Sequence, residues 1–401
     1  MAKLQSIRIA AFGAFLFAVT ACVFPFEVDI AQDGELPVVV EGDIIAGGMT
    51  VIALRHVQPL TGEKEEYGFE ATGYIEGQDG TRIVGVQSGF DWITSSSDYS
   101  SELKLQFDTR NLSVDQAYRL HLEMCNWKTE ATNTFESDWI PIIPAPVIDD
   151  ITYSCHPEEE ELRIGLSMHC NGAHFFRWNY REDWEYHAEI DATVTYDPDS
   201  GEIDPFHGPG LYRCWNTVES GRTNLFSTLH QTDDRFEKLD FHSINLRDIR
   251  LQTMYRIRVN LVALDKEAYD YWQNMQQISE GQGSILSPMP SEMASNIHCL
   301  TNPDLQVIGY LSGASLATAD MYYDNSVNQF FIPTKSKYDE RVEVPYSYWE
   351  SLDRYLQGYL PYSAIYRMSN RPEAFMWALA SCIDCRRLGG VTTRPSDWNP
   401  R

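Results

Sequence analysis

The residues richest in chemistry are the eight cysteines: Cys22, Cys125, Cys155, Cys170, Cys214, Cys299, Cys382 and Cys385. Context sets Cys22 apart. It follows Val19-Thr20-Ala21, small and apolar residues ahead of a cysteine, the pattern of a lipobox whose thiol is acylated. Lys3 and Arg8 come first, then an apolar run from Ile9 to Ala21. That run is shorter than the ~20 residues needed to cross a bilayer. A charged start, a short apolar stretch and a cleavage site together read as a signal peptide and not as a membrane span. The expected mature chain begins at Cys22 and is held to a membrane by acyl chains.

With Cys22 acylated, an odd number of cysteines remains, so at least one is left over in an exported chain. Cys382 and Cys385 form a CxxC. No βαβ pattern precedes it, so the expectation is a structural disulfide, local or longer-range, and not a redox or zinc motif. Cys155-His156 and His169-Cys170 have metal-ligand chemistry, but neighbours in a strand point to opposite faces and the four cannot converge. Asp197-Pro198-Asp199-Ser200-Gly201, with Glu202 and Asp204, is acidic enough for a calcium loop. It lacks the distal bidentate Glu and reads as a solvated hairpin turn. No GxSxG elbow, phosphate loop, HExxH or dinucleotide fingerprint occurs. Carboxylates abound, yet nothing selects a glycosidase-type pair. No catalytic residue, metal or cofactor is assigned.

The net charge is −27, which excludes nucleic acid, whose binding needs basic surface. It also speaks against lying flat on an anionic membrane. The 10 Trp, 22 Tyr and 18 Phe suit strands and interfaces. Strand patterns recur at short spacing: 36–41, 50–54, 68–75, 83–87, 103–107 and 118–124, with breaks such as Asp79-Gly80. Leu162, Ile164, Leu166 and Met168 share one face. So do Phe176, Trp178 and Tyr180, and so do Tyr255, Ile257, Val259, Leu261 and Ala263, with Arg256 and Arg258 opposite. Such stripes read as core. Asp265 is a candidate N-cap for a helix near 266–280, with Ala268, Tyr271, Trp272 and Met275 at helical spacing. Tyr348, Trp349, Leu352, Tyr355 and Leu356 suggest a shorter one. Residues 305–311 and 374–379 look like strands.

The expected fold is mainly β: two tandem β-sandwich domains of immunoglobulin or fibronectin type, one inserted helix and an irregular C-terminal part. The expected divisions are a signal peptide (1–21), a lipidated tether (22–33), a first sandwich (34–146), a second sandwich with the helix (147–304), and a C-terminal part packed on the second sandwich (305–401). Trp139 to Val147, rich in proline, reads as the linker.

Further stretches resemble the domain-of-unknown-function 4249 family, lipoproteins of the Bacteroidota. They are Cys214-Trp215, Tyr255 to Val259, Leu264 to Tyr269, Tyr271-Trp272, Pro290, Asn296-Ile297 and Gly309-Tyr310. The tail looks like the family's C-terminal signature: Cys382 and Cys385, Gly389-Gly390, Pro395 and Trp398. Val38 to Gly42 fits more loosely. Two details depart: Leu311 stands where the family often has Phe, and Ser396-Asp397 where an aromatic is usual. The resemblance implies that Cys382 and Cys385 pair with each other or with Cys214 or Cys299. It implies an outer-membrane lipoprotein beside a TonB-dependent transporter, and no catalytic residues. The expected function is therefore non-enzymatic: a surface-exposed lipoprotein that docks on a TonB-dependent β-barrel as lid, receptor or scaffold. A subunit of a larger outer-membrane assembly or secretion machine is the second reading, and an envelope hydrolase the third. The expected docking residues are aromatics of the later half, among them Tyr269, Trp272, Tyr348 and Trp349, because not all such rings fit inside a small core.

Overall fold

A computed structural model of the protein describes residues 37–57, 69–88, 102–127, 130–206, 210–221, 224–231, 233–280, 295–333, 341–368 and 370–400. Cys22, and with it the leader and tether, lies outside the described residues. So does Pro290.

The chain is mainly β. The first strands are β1 (Val38–Ala46), β2 (Met49–His56), β3 (Phe69–Gly77), β4 (Arg82–Val84), β5 (Val86–Ser88), β6 (Leu103–Asp108), β7 (Ala117–Asn126), β8 (Thr132–Ser137) and β9 (Ile140–Pro141). Then come β10 (Val147–His156), β11 (Glu161–His169), β12 (Phe175–His187), β13 (Val194–Tyr196), β14 (Ile203–Pro205), β15 (Arg213–Glu219), β16 (Asn224–Ser227), β17 (Arg235–Asn245) and β18 (Met254–Leu264). Helix α1 (Lys266–Glu280) follows, then β19 (Ile297–Cys299), β20 (Val307–Ile308), β21 (Leu311–Asp324) and the short α2 (Asn325–Asn328). The last elements are β22 (Val342–Pro345), α3 (Tyr348–Leu356), β23 (Tyr359–Ile365), β24 (Ala374–Leu379) and the short α4 (Ala380–Ile383).

Alternation places the cores. In β6 Leu103, Leu105 and Phe107 are buried while the residues between them face water. They join Val40, Ile52, Leu122 and Phe135 in a first apolar cluster, lined by β1, β2 and β6 and by the sheet β19-β8-β7-β3-β4. The stripes 162–168 and 255–263 turn inward to a second cluster, between β10-β11-β17 and the strands β12, β18 and β21. Fully burying one such Leu, Ile or Phe contributes about 1.5–3 kcal/mol.

One ten-stranded sheet runs through both cores in the order β15-β12-β18-β21-β1-β2-β6-β5, with β16 on β12 and β20 on β1. The join is β21. Its later part pairs antiparallel with β18. Its first residues, 311–315, pair parallel with β1 from Gly42 to Ala46. The expected strand at 305–311 is thus two strands, β20 and the much longer β21. The proline-rich segment 139–147 is extended but is no loose tether. Ile140 and Ile142 are buried, and Ile143 pairs with β21: its N–H donates to the Gly313 carbonyl at 3.0 Å, and its carbonyl accepts from the Ser315 N–H at 3.0 Å. Residues 37–401 make one compact unit.

Candidate functional site

A smaller sheet, β22-β24-β23, and the hairpin β13-β14 enclose a third cluster of Val194, Tyr196, Ile203, Val344, Phe375 and Trp377. Helix α3 closes this cluster. Its Ser351 is buried and Tyr355 packs on Tyr196, with ring centroids 5.3 Å apart. Glu350 in its first turn and Arg354 in its last suit the helix dipole. The face turned to solvent carries Trp349 and Leu356, each 75 % exposed. Tyr348 sits at the helix start, with its ring on Gly201 of the hairpin turn. A Cβ at Gly201 would lie 2.1 Å from that ring, and the backbone there has φ +74°, so only glycine serves. Trp349 meets Tyr348 edge-on at 5.1 Å. Tyr346, whose ring abuts Phe375 at 5.4 Å, is exposed, as are Tyr366 and Met368 in the β23–β24 turn. Glu373 links these parts: its carbonyl accepts from the Tyr346 N–H at 3.0 Å and its carboxylate from the Met368 N–H at 3.1 Å. The contacting pair Tyr348 and Trp349 is thus fixed and water-facing, with Tyr346, Tyr366 and Met368 exposed at the strand ends of the same small sheet.

Tyr269 and Trp272 are placed differently. Asp265 caps α1 by accepting from the Ala268 N–H at 2.7 Å. That register turns both rings toward the large sheet. Tyr269 packs on Phe175 at 4.9 Å, and the Arg177 guanidinium covers Trp272 at 4.6 Å. Tyr271 stacks on Tyr310 and donates its hydroxyl to Glu41 at 2.8 Å. Both Tyr269 and Trp272 are half-buried, so of the four aromatics singled out from sequence only Tyr348 and Trp349 lie open. Tyr366 and Met368 were missed, because a turn between two strands carries no periodic signal.

The CxxC does not close on itself. Cys385 is bonded to Cys214, 171 residues earlier, with Cα atoms 5.7 Å apart. Cys382 is buried, and its carbonyl accepts from the Ile190 N–H at 2.9 Å. Cys299, on β19, is also buried; its sulfur is 3.6 Å from the Thr301 hydroxyl. Beyond the disulfide the tail is pinned repeatedly. Trp215 and Val391 exchange two backbone hydrogen bonds at 2.8 Å. A Cβ on Gly390 would lie 2.3 Å from the Tyr186 hydroxyl, which itself donates to the Cys385 carbonyl at 2.8 Å. Asp397 accepts from Arg258 at 2.7 Å and Arg256 at 3.1 Å, and Trp398 is buried under Arg256 and beside Tyr322. The departure from the expected aromatic at 396–397 therefore supplies the carboxylate this arginine cluster requires.

Two carboxylates are buried back to back in β12. Asp183 accepts from Arg256 at 2.6 Å, Arg181 at 2.8 Å and the Thr217 hydroxyl at 2.7 Å. Glu182, on the core side, accepts from Arg250 at 2.6 Å and the Tyr255 hydroxyl at 2.8 Å, with the His242 ring at 3.0 Å. Burial raises the Tyr255 phenol well above its usual range, and the Glu182 charge adds to this. These groups are committed to one another and brace the fold. The Cys-His pairs lie at opposite ends of one hairpin, since His156 pairs with Glu161 and His169 with Val147. Among the described residues no group of His, Cys, Asp or Glu is arranged to hold a metal ion. Asp197 closes the β13–β14 turn, accepting from the Asp199 N–H and the Ser200 hydroxyl, each at 2.9 Å.

A large sheet through two apolar cores, with a disulfide-locked tail, defines a β-rich protein. Residues 23–320 match the model described as a domain of unknown function, DUF4249, and the chain belongs to that family. The tail lies beyond the matched residues. No curated protein matches the sequence. Among solved structures, a DUF4785 family protein from Legionella pneumophila is similar, with 9% identity and a TM-score of 0.21, over 56% of this chain and 52% of that one. The chain thus spans about half that protein's length, and the likeness is too slight to bear on the fold.

Proposed function

We propose that this chain is a non-enzymatic lipoprotein of the bacterial outer membrane, anchored through Cys22 and facing the cell exterior. It docks on a TonB-dependent, transporter-type β-barrel as lid, receptor or scaffold. Its body is read as two β-sandwiches in tandem, of immunoglobulin or fibronectin type, sharing the ten-stranded sheet. The lipobox and the lipoprotein resemblance support the anchor. The observation that carries the docking role is Trp349, exposed beside Tyr348 on a seated helix. An exposed Trp with Tyr neighbours is the composition most enriched at interface hot spots, where truncation costs 2 kcal/mol or more.

The test is capture of the native protein from gently solubilised membranes, with partners identified by mass spectrometry. One barrel protein should co-purify, and Tyr348→Ala with Trp349→Ala should reduce its recovery about 30-fold while the fold, followed by circular dichroism, survives. A multi-subunit machine in place of one barrel would favour the assembly-subunit reading. Undiminished recovery with the double variant would move docking off this face.

A further inference from the structure

We infer that the partner of the Trp349 face is a protein whose apolar socket is ringed by lysine and arginine; this rests on the reading that the face docks. The apolar centre is Trp349, Tyr348 and Tyr346. The charges around it are largely of one sign. Directly beneath Tyr348 is the hairpin turn of Asp197, Asp199 and Glu202. From Ala188 to Phe206 the sequence holds no lysine or arginine, and Asp204 on β14 is a fourth exposed acid of the hairpin. Glu350 follows Trp349 directly, and Asp353 stands on the same exposed side of α3. The arginines of this region, Arg354, Arg367 and, in the same β23–β24 turn, Arg371, are fewer than its acids. Arg367 is paired with Glu343, and Arg354 donates to Gln357 at 3.0 Å and lies over the Tyr359 ring. Hydrogen bonds from the Asp199 N–H and the Ser200 hydroxyl hold the Asp197 carboxyl below its usual value, so it stays ionised near neutral pH.

Such a rim repels anionic lipid and speeds encounter with a basic surface. Association of this kind gains about 10–1,000-fold in rate from steering and loses it as salt rises. An acidic rim around a desolvating Trp thus divides the work: the ring of charge selects and orients, and the indole holds.

The experiment uses the full-length protein and its co-purified partner in detergent, with association followed by surface plasmon resonance across a salt series. The variants are Trp349→Ala and the triple reversal Asp199→Lys, Glu202→Lys, Glu350→Lys. The expected result is an association rate at least about 10-fold lower for the triple reversal at low salt, with the wild-type rate falling toward it as salt is added. Trp349→Ala should instead raise the dissociation rate. If Trp349→Ala weakens binding but salt and charge reversal do not, the basic ring is refuted and the docking face stands. If Trp349→Ala has no effect, the docking face fails and takes this inference with it. A third result also overturns it. In anionic vesicles containing only the full-length protein, Trp349 fluorescence, taken as the difference from Trp349→Phe, would be shielded from iodide as strongly as in the complex; the occupant would then be lipid.

Discussion

Glu182 and Asp183 are neighbours, so in a strand they face opposite sides of one sheet, and each side has its own arginines. Burial pushes the Glu182 carboxyl up. The His242 hydrogen bond, the Arg250 and His242 charges and the Tyr255 hydroxyl outweigh this and leave it below its ordinary 4.5. A carboxyl depressed by folding stabilises fully above its unfolded value, and that contribution is lost as pH falls through the folded one. Glu182→Gln should therefore cost about 1.5–3 kcal/mol near neutral pH, and its gap from wild type in urea midpoint should close as the solution is acidified below about pH 4. A gap independent of pH would assign the stability to packing alone. Sequence shows half of these networks. Arg256 and Arg258 stand out as charges opposite an apolar stripe. Their acceptors do not, because Asp183 and Asp397 lie 73 and 139 residues from Arg256 and Arg258 respectively, and no local period links such positions.

Helix α3 was legible because its apolar residues keep helical spacing, although its buried residue is Ser351 and Trp349 and Leu356 face water. Strand β21 was not. Ala314, Ala317 and Ala319 put equally small side chains on both faces, so its alternation is faint. The pairing of Cys385 with Cys214 was one of several open choices, and only the approach of the turn after α4, residues 385–388, to β15 decides it. Within α3, the buried Ser351 hydroxyl has no hydrogen-bond partner among the described residues. An orphaned hydroxyl costs about 1–3 kcal/mol, and alanine is the better helix former by about 0.5 kcal/mol. Ser351→Ala should raise the thermal midpoint, with a gain near 1–2 kcal/mol. A lower midpoint would show that the hydroxyl is bonded to an ordered water.

The sheet imposes a rule on the molecule as a whole. Two sandwiches joined by a flexible linker would melt separately. Here β21 donates and accepts across to β18 on one side and β1 on the other, and segment 139–147 is zipped onto it. Calorimetry should show one transition for both cores, with amides of β7 and β18 exchanging at the same opening free energy in hydrogen-exchange measurements. Two resolved transitions would mean that the shared strand parts before either core opens. Sequence readily showed the β class and the inward stripes. It did not show the sharing, since parallel pairing of 42–46 with 311–315 joins strands from opposite ends of the chain.

That pairing also sets a timetable for biosynthesis. Strand β1 emerges, from the ribosome or from an export channel, ahead of its partner segment 311–315 by the whole of β2 to β20. Until then one edge of β1 offers unsatisfied amides to any passing strand, and contacts so distant in sequence form slowly. The disulfide comes later still, since Cys385 follows β24. A chain whose emergence is halted anywhere before β21 therefore cannot complete its sheet, and would depend on chaperones to cover that edge until the rest follows.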